Sequence, residues 1–293
     1  MSLLRSLMFV PGIREDFLGR ATDLQSDLVC VDLEDSVPPG DKDRARDIVQ
    51  EWLPKLARPN YMLIVRVNGL DTGLLEDDLA ALVSNELEAI SLPKAHTPEI
   101  VQQVDHYLTI LERERGLPNG HVKMIPWIES AEAVLNAQAI TRASSRLIGA
   151  SIGGEDLTIT LGVERTKIGK EIEWARYQVA TACRAAGILP IDSPVMDFRD
   201  TEQLERESQF VRSIGFGGKY CIHPSQIEVI NRVFLPSDEE LSQARRIVEV
   251  YEEAEKQGLG AVGMDGLVVD RPVYVRAQNL LDFMAQQTED MKE

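Results

Sequence analysis

Short apolar runs, rich in β-branched residues, alternate with amphipathic stretches along most of the chain. The apolar runs fall at residues 7–10, 28–33, 61–67, 89–92, 122–128, 147–152, 188–191 and 218–222. They are near-continuous rather than alternating, the pattern of parallel strands buried on both faces. Between them, apolar residues recur at helical spacing: Phe17, Ala21 and Leu24, then Ile48, Trp52 and Leu56, then Leu75, Leu79 and Leu82. Thr97-Pro98-Glu99 predicts a cap followed by proline in the first turn of a helix that runs to about residue 115. Further helices are expected over 170–186, stopped by Gly187, and over 202–213. Eight strand–helix units predict an α/β chain folded as a (β/α)8 TIM barrel rather than an open doubly wound sheet. No Gly-x-Gly-x-x-Gly follows the first run, which also argues against a dinucleotide-binding fold.

Beyond the eighth run the pattern changes. An amphipathic helix over 239–257 leads to the glycine-rich joint Gly258-Leu259-Gly260-Ala261-Val262-Gly263-Met264-Asp265-Gly266, then residues 267–270, then a last helix to about 287. A barrel does not need this tail to close. The expected division is residues 1–235 as the barrel and 236–293 as a helical extension acting as a lid, hinged on the glycines; a packing helix is the plainer alternative.

Composition narrows the function. The 293 residues are 44% hydrophobic, with a net charge of −17. Nucleic acid is excluded as a partner, since phosphate binding draws on a basic face. An anionic substrate needs a local cation or a metal against this field. Cys30, Cys183 and Cys221 show no zinc spacing, and an odd number argues against a disulfide framework, so buried thiols in the cytoplasm are expected. The first residues lack a signal-peptide apolar segment, and no apolar run approaches the ~20 residues of a membrane span.

In such barrels the active site lies at the carboxyl ends of the strands. The polar residues there are Glu34, Asp35, Arg66, Lys94, Glu129, Glu155, Asp156, Asp192 and His223. Glu129 ends the fifth run, and Glu155 and Asp156 end the sixth, so carboxylates of neighbouring strands can share one hard cation. Each acid alone reads equally well as a helix start. Arg66, from the third run, can bind a carboxylate or steady an enolate oxygen, or form a salt bridge with Glu34 or Asp35. His223 reads as a capping residue, and Lys94 as a rim charge or phosphate contact more than a Schiff-base lysine. The chemistry this describes is metal-assisted reaction of a small oxyacid through an enolate.

Seven motifs occur in order: Arg5-Ser6-Leu7-Met8-Phe9-Val10-Pro11-Gly12, Asp32-Leu33-Glu34-Asp35-Ser36-Val37, Val65-Arg66-Val67-Asn68, Ile128-Glu129-Ser130, Gly154-Glu155-Asp156-Leu157, Gly218-Lys219-Tyr220-Cys221-Ile222-His223-Pro224 and Val269-Asp270-Arg271-Pro272. Together they resemble the citrate lyase β-subunit-like family of the HpcH/HpaI aldolase superfamily, which includes malyl-CoA, β-methylmalyl-CoA and citramalyl-CoA lyases. The resemblance implies a Mg²⁺-dependent carbon–carbon lyase, with Mn²⁺ as a substitute, acting on an acyl-CoA thioester and a small oxo acid. It makes Glu129 and Asp156 the metal ligands. Gly154 and Glu155 then bind the substrate carboxylate through their backbone, and Arg66 steadies the enolate. Glu34 and Asp35 support Arg66 or metal-bound water. It makes Asp270, rather than Asp265, the general acid/base, reaching a neighbouring subunit of a homotrimer or dimer of trimers.

Arg5, Arg14 and Lys94, and with them Arg20, Lys42, Arg44 and Arg46, are candidates for the CoA phosphates. Where relatives often carry alanine before Glu-Asp, this chain has Gly154, which bears on pocket size. Four rival readings remain: a malyl-CoA-type thioesterase, a class II pyruvate aldolase, a citrate lyase β subunit working on an acyl-carrier thioester, and a non-catalytic subunit.

Overall fold

The computed structural model describes residues 4–290, with side chains to residue 285. Its first compact unit is Leu4–Phe234, and a second begins at Leu235. In the first unit eight parallel strands close into a barrel in chain order. They are β1 Ser6–Pro11, β2 Leu28–Asp32, β3 Met62–Arg66, β4 Ala89–Leu92, β5 Lys123–Ile128, β6 Gly149–Ile152, β7 Leu189–Asp192 and β8 Gly218–Cys221. The ring is closed by β1 against β8, with Leu7 opposite Tyr220. The chain is thus a (β/α)8 barrel, with every strand inside or within a residue or two of its expected apolar run. Helices α1 Glu15–Ala21, α2 Lys42–Leu56, α3 Leu75–Leu82 and α4 Pro98–Glu114 follow the first four strands. Two short helices, α5 Ala131–Leu135 and α6 Ala137–Ile140, follow β5. Then come α7 Gly154–Leu161, α8 Glu173–Ala186, α9 Thr201–Ser213 and α10 Ile227–Phe234. Thr97 occupies the N-cap position of α4 in an extended conformation, with Pro98 at the first helical position, and Gly187 ends α8 in the left-handed conformation at φ 75°.

Side-chain parity divides the core into two layers. Leu7, Leu28, Cys30, Ile64, Ile125, Trp127, Ile191 and Tyr220 point inward and fill the barrel. Their strand neighbours Met8, Val29, Val31, Leu63, Val65, Ile90, Met124 and Cys221 point outward and pack under the helices. Phe9, Trp127 and Tyr220 stack at centroid separations of 4.6–5.9 Å, and the Trp127 indole N–H donates to Ser91 Oγ at 2.6 Å. This aromatic plug forms the floor beneath the strand ends. The three cysteines are buried and free, and among the described residues no helix is long and apolar enough to cross a membrane.

The second unit corrects one expectation. The glycine-rich joint is not an open hinge. It forms an antiparallel hairpin, β9 Ala261–Met264 and β10 Leu267–Asp270. Asp265 at φ 51° and Gly266 at φ 82° make the two-residue turn. Asp-Gly between apolar residues is a strong hairpin signal, because both turn positions need positive φ. The hairpin packs with α11 Asp238–Lys256 and α12 Arg271–Asp290 around Tyr251, Met264 and Val269. Ser237 caps α11 with a reciprocal Glu240 bond.

Candidate active site

The carboxyl ends of β1, β2, β3, β5 and β6 and the loop after β7 enclose a cavity of about 370 Å³. Its lining includes Phe9, Asp32, Asp35, Arg66, Trp127, Glu129, Gly153, Gly154, Glu155, Asp156, Ser193 and Met196. Parity explains the membership. Phe9, Asp32, Arg66 and Trp127 share the inward face with Leu7, Cys30, Ile64 and Ile125.

Arg66 is held by three carboxylates. Its Nε and Nη2 donate to Asp32 at 2.7 and 2.8 Å, Nη1 donates to Asp35 at 3.3 Å, and Glu34 lies 3.0 Å from Nη1. Its flat face lies 4.6 Å from the Phe9 ring centroid. The expected salt bridges to Glu34 and Asp35 are therefore present, but the bidentate partner is Asp32, which the sequence reading did not single out. Asp32 has the parity of Cys30, and that was the available signal. Arg66 holds the Asp32 carboxyl below its usual range although burial pushes it up.

Glu129 is the most perturbed acid of the mouth. Burial pushes its carboxyl up to about 8, and the charges of Glu34 and Asp156 add to this. One bond opposes the shift: the Lys94 backbone N–H donates to Glu129 Oε1 at 2.6 Å. To aim that N–H, Lys94 takes a left-handed backbone, φ 53°, which is uncommon outside glycine. Its ammonium lies 3.6 Å from Glu34 Oε1, so Lys94 is a paired rim charge. Burial pushes Glu34 up to about 7. Gly153 leaves the room that Glu129 occupies: a Cβ there would lie 2.5 Å from Glu129 Oε2.

The α7 helix begins on the cavity wall. Gly153 is its N-cap and has no side chain, so among the described residues the N–H groups of Gly154, Glu155 and Asp156 lack a protein acceptor. Such a helix start favours an anion. Asp156 is half-buried, and no hydrogen bond or ion pair holds its carboxylate among the described residues. Glu155 is exposed, 3.9 Å from Arg165 Nε.

The donors fit a hard divalent cation. Among the described residues Glu129 Oε2 and both Asp156 oxygens have no hydrogen-bond or ion-pair partner, and burial raises the Glu129 carboxyl. Among the described residues no three His, Cys, Asp or Glu side chains cluster as a closed metal cage. Two carboxylates with open positions suit Mg²⁺, which keeps water and substrate oxygens, rather than Zn²⁺.

Other candidates fall elsewhere. Arg5 precedes β1 at the amino-terminal end of the barrel and grips Asp27 through Nε and Nη2 at 2.8 and 2.7 Å, so it is a structural pair away from the mouth. Arg46 is likewise committed, to Asp78 and Asp43, and Lys42 caps the Leu33 and Glu34 carbonyls. Arg14 is exposed in the loop after β1, paired with Asp16, and Arg20 and Arg44 are also exposed. His223 caps the turn at Pro224–Gln226, as expected. Asp192 points outward, opposite in parity to Ile191, and leaves the mouth altogether. It pairs with Arg176 at 2.9 Å and with the fully buried Lys219, and both adjoin Glu207. Asp270, in the second unit, accepts the Val273 N–H at 3.3 Å and so caps α12. Asp265 is the turn residue, paired with Arg246.

Comparison with known proteins settles the family. Residues 5–224 match the model for HpcH/HpaI aldolase/citrate lyase. The chain belongs to that family. It is 38% identical to the citrate lyase subunit beta of Leuconostoc mesenteroides subsp. cremoris, over 95% of this chain and 92% of the relative. It is 33% identical to the L-malyl-CoA/beta-methylmalyl-CoA lyase of Rhodobacter capsulatus, over 92% and 90%. Among solved structures it resembles CitE of Mycobacterium tuberculosis in complex with magnesium, acetoacetate and coenzyme A, with a TM-score of 0.79 and 28% identity over 96% and 98%. The resemblance carried by the seven motifs thus stands, and the citrate lyase subunit beta and the L-malyl-CoA/beta-methylmalyl-CoA lyase lie within a narrow range of identity to it.

Proposed function

We propose that this HpcH/HpaI-family chain is a Mg²⁺-dependent carbon–carbon lyase. It cleaves or forms a hydroxyacyl-CoA such as malyl-, β-methylmalyl- or citramalyl-CoA, with acetyl- or propionyl-CoA and glyoxylate or pyruvate on the other side. The observation that carries this is one cavity holding two under-neutralised carboxylates, Glu129 and Asp156, beside Arg66 and the open start of α7. A relative of the same fold bound to magnesium, a small oxo acid and coenzyme A supports it.

Glu129 and Asp156 would hold the cation. When bound, it supplies positive charge that binds the oxo acid and stabilises the negative oxygen of the reaction. The chain's own groups do the rest. The N–H groups of Gly154 and Glu155 receive the oxo-acid carboxylate, and Arg66 places fixed positive charge at the enolate oxygen, with Glu34 and Asp35 holding it in position. In condensation, a base takes the α-proton of the acyl thioester, and the enolate carbon attacks the oxo carbon. The oxo oxygen then takes a proton, giving the hydroxyacyl thioester. Cleavage runs these steps backward, and the enolate carbon regains its proton. We assign that proton to Asp270, delivered from a second copy in a homotrimer or dimer of trimers. The match of Val269-Asp270-Arg271-Pro272 to the family pattern supports this. Arg14, Arg20, Arg44 and Lys94 are the remaining candidates for CoA phosphates.

A second reading is a citrate lyase β subunit acting on an acyl-carrier thioester. Its support is the identity of 35–38% to citrate lyase β subunits. One assay separates the two. Protein with Mg²⁺ and acetyl-CoA or propionyl-CoA is offered glyoxylate, pyruvate and oxaloacetate, and thioester products are followed. Product with glyoxylate or pyruvate supports the CoA lyase. Oxaloacetate alone moves the assignment to a citryl thioester. No condensation, with no effect of EDTA, overturns both. Free thiol without oxo acid on feeding malyl-CoA marks a thioesterase.

A further inference from the structure

We infer that Arg165 is the positioning residue for the oxo-acid carboxylate, and that residue 154 is glycine so that Arg165 can reach the back of the α7 start. This rests on the lyase reading above. Arg165 lies in the loop between α7 and α8 and does not line the cavity. Its Nε stands 3.2 Å from where a Gly154 Cβ would be, with Ile172 Cδ1 and Ser193 Oγ equally close. Gly154 thus lines the cavity and, through its missing side chain, lies against both cavity-lining Ser193 and the Arg165 guanidinium.

That guanidinium is anchored by its Nη atoms behind the α7 start, while Nε stands 3.9 Å from the carboxylate of cavity-lining Glu155. Nη1 donates to Glu171 at 2.9 Å and to the Thr166 carbonyl at 2.7 Å, and Nη2 donates to Glu207 at 3.4 Å. Glu207 in turn accepts from Arg176 at 2.8 Å and from Gln203 at 2.8 Å. Arg176 and Lys219 both hold Asp192. A chain of ion pairs thus runs from the buried outer layer of β7 and β8 to the α7 start. The charges along it are Arg165, Arg176 and Lys219 against Glu155, Glu171, Glu207 and Asp192. Removing Arg165 leaves Glu171 without its guanidinium partner, while Glu207 keeps Arg176 and Lys219, and it takes a positive charge from beside the α7 start. With Arg165 present, its charge adds to the positive end of the helix dipole.

A purely structural arginine and a positioning one differ in what they change. A structural one would move all kinetic constants with the melting temperature. A positioning one moves the oxo-acid constant selectively. The variants are Arg165→Met, Arg165→Lys and Gly154→Ala, assayed in condensation with Mg²⁺. Arg165→Met is expected to raise KM for the oxo acid about tenfold or more, with kcat and KM for the acyl-CoA within about twofold. Arg165→Lys recovers most of the loss. Gly154→Ala adds only a methyl, and it raises the oxo-acid KM in wild type more than in the Arg165→Met background, since the methyl acts by pushing the guanidinium away. Calorimetric titration with the same oxo acid must show the same loss without turnover.

A folded Arg165→Met with unchanged oxo-acid KM overturns the inference, as does an equal loss in both substrates' constants. If Arg165→Met does not fold, Gly154→Ala decides alone on the same criterion. A wild type that condenses no oxo acid but binds one by calorimetry refutes the lyase reading while leaving the Arg165 comparison readable. A wild type that binds none overturns both.

Discussion

Two clusters of charge sit on opposite sides of the same barrel wall, and they are built to opposite rules. Outside the strands of β7 and β8, Asp192 and Glu207 are matched by Arg176 and Lys219. All four are buried, and the two carboxyls are held below their ordinary range against the effect of burial. Inside the mouth, Asp32, Glu34, Asp35, Glu129 and Asp156 outnumber the cations near them among the described residues, Arg66, Lys94 and Lys42. There burial wins at Glu34 and Glu129, which rise to about 7 and about 8. A buried pair left whole is a neutral element of structure, whereas an acid excess is a standing demand for a cation. The difference separates scaffold from site more cleanly than residue type does, since both clusters are Asp, Glu, Arg and Lys.

Removing a carboxylate should therefore have opposite effects in the two places. In the balanced cluster, Asp192→Asn strands Lys219 and Arg176 and is expected to cost about 3–5 kcal/mol in chemical denaturation. Equal stability of this variant and wild type would break the comparison. In the mouth, Glu129→Gln is expected to lower turnover about 10²–10³-fold. At the same time it should leave metal-free stability at pH 8 unchanged or raised, because it deletes a buried charge. A matching stability loss would place Glu129 with the scaffold.

The pH dependence sharpens the same point. Glu34 and Glu129 are raised in the folded state, so between the ordinary carboxylate range near 4.5 and about 8 the native protein holds protons the unfolded chain has lost. Metal-free stability contributed by these two acids is therefore full below that window and is lost as pH rises through it. Melting temperatures with EDTA should fall from pH 5 to pH 8, and the increment on adding Mg²⁺ should grow over the same interval. A Mg²⁺ increment independent of pH would argue against Glu129 as a ligand. The smallest effect expected is at the periphery: Arg14→Ala should raise KM for the acyl-CoA about two- to fivefold, within the range of an exposed pair. Arg5→Ala should leave that constant alone.

The barrel was legible because buried parallel strands write themselves as continuous apolar runs, and Gly187 and Thr97-Pro98 mark helix ends by steric rules. The acids of the mouth were legible because they end those runs. What composition of strand ends does not encode is direction. Asp192 and Asp32 each end a strand, yet one faces the helices and the other the lumen, and only counting parity from Ile191 and Cys30 separates them. The hairpin of the second unit was hidden by its glycines, which look like a hinge until Asp265-Gly266 is read as a two-residue turn. The Lys94 amide was not legible at all, because a backbone N–H carries no letter in the sequence.

That amide sets what residue 94 can become. The bond to Glu129 is made by the main chain in a left-handed conformation, so the position is constrained by torsion angle more than by charge. Asn and Gly, which accept positive φ, should preserve the bond though they lose the ammonium. Ile and Val should not, however well they pack. A library built on the assumption that a lysine at an active-site rim is there for its charge would retain the wrong half of its variants.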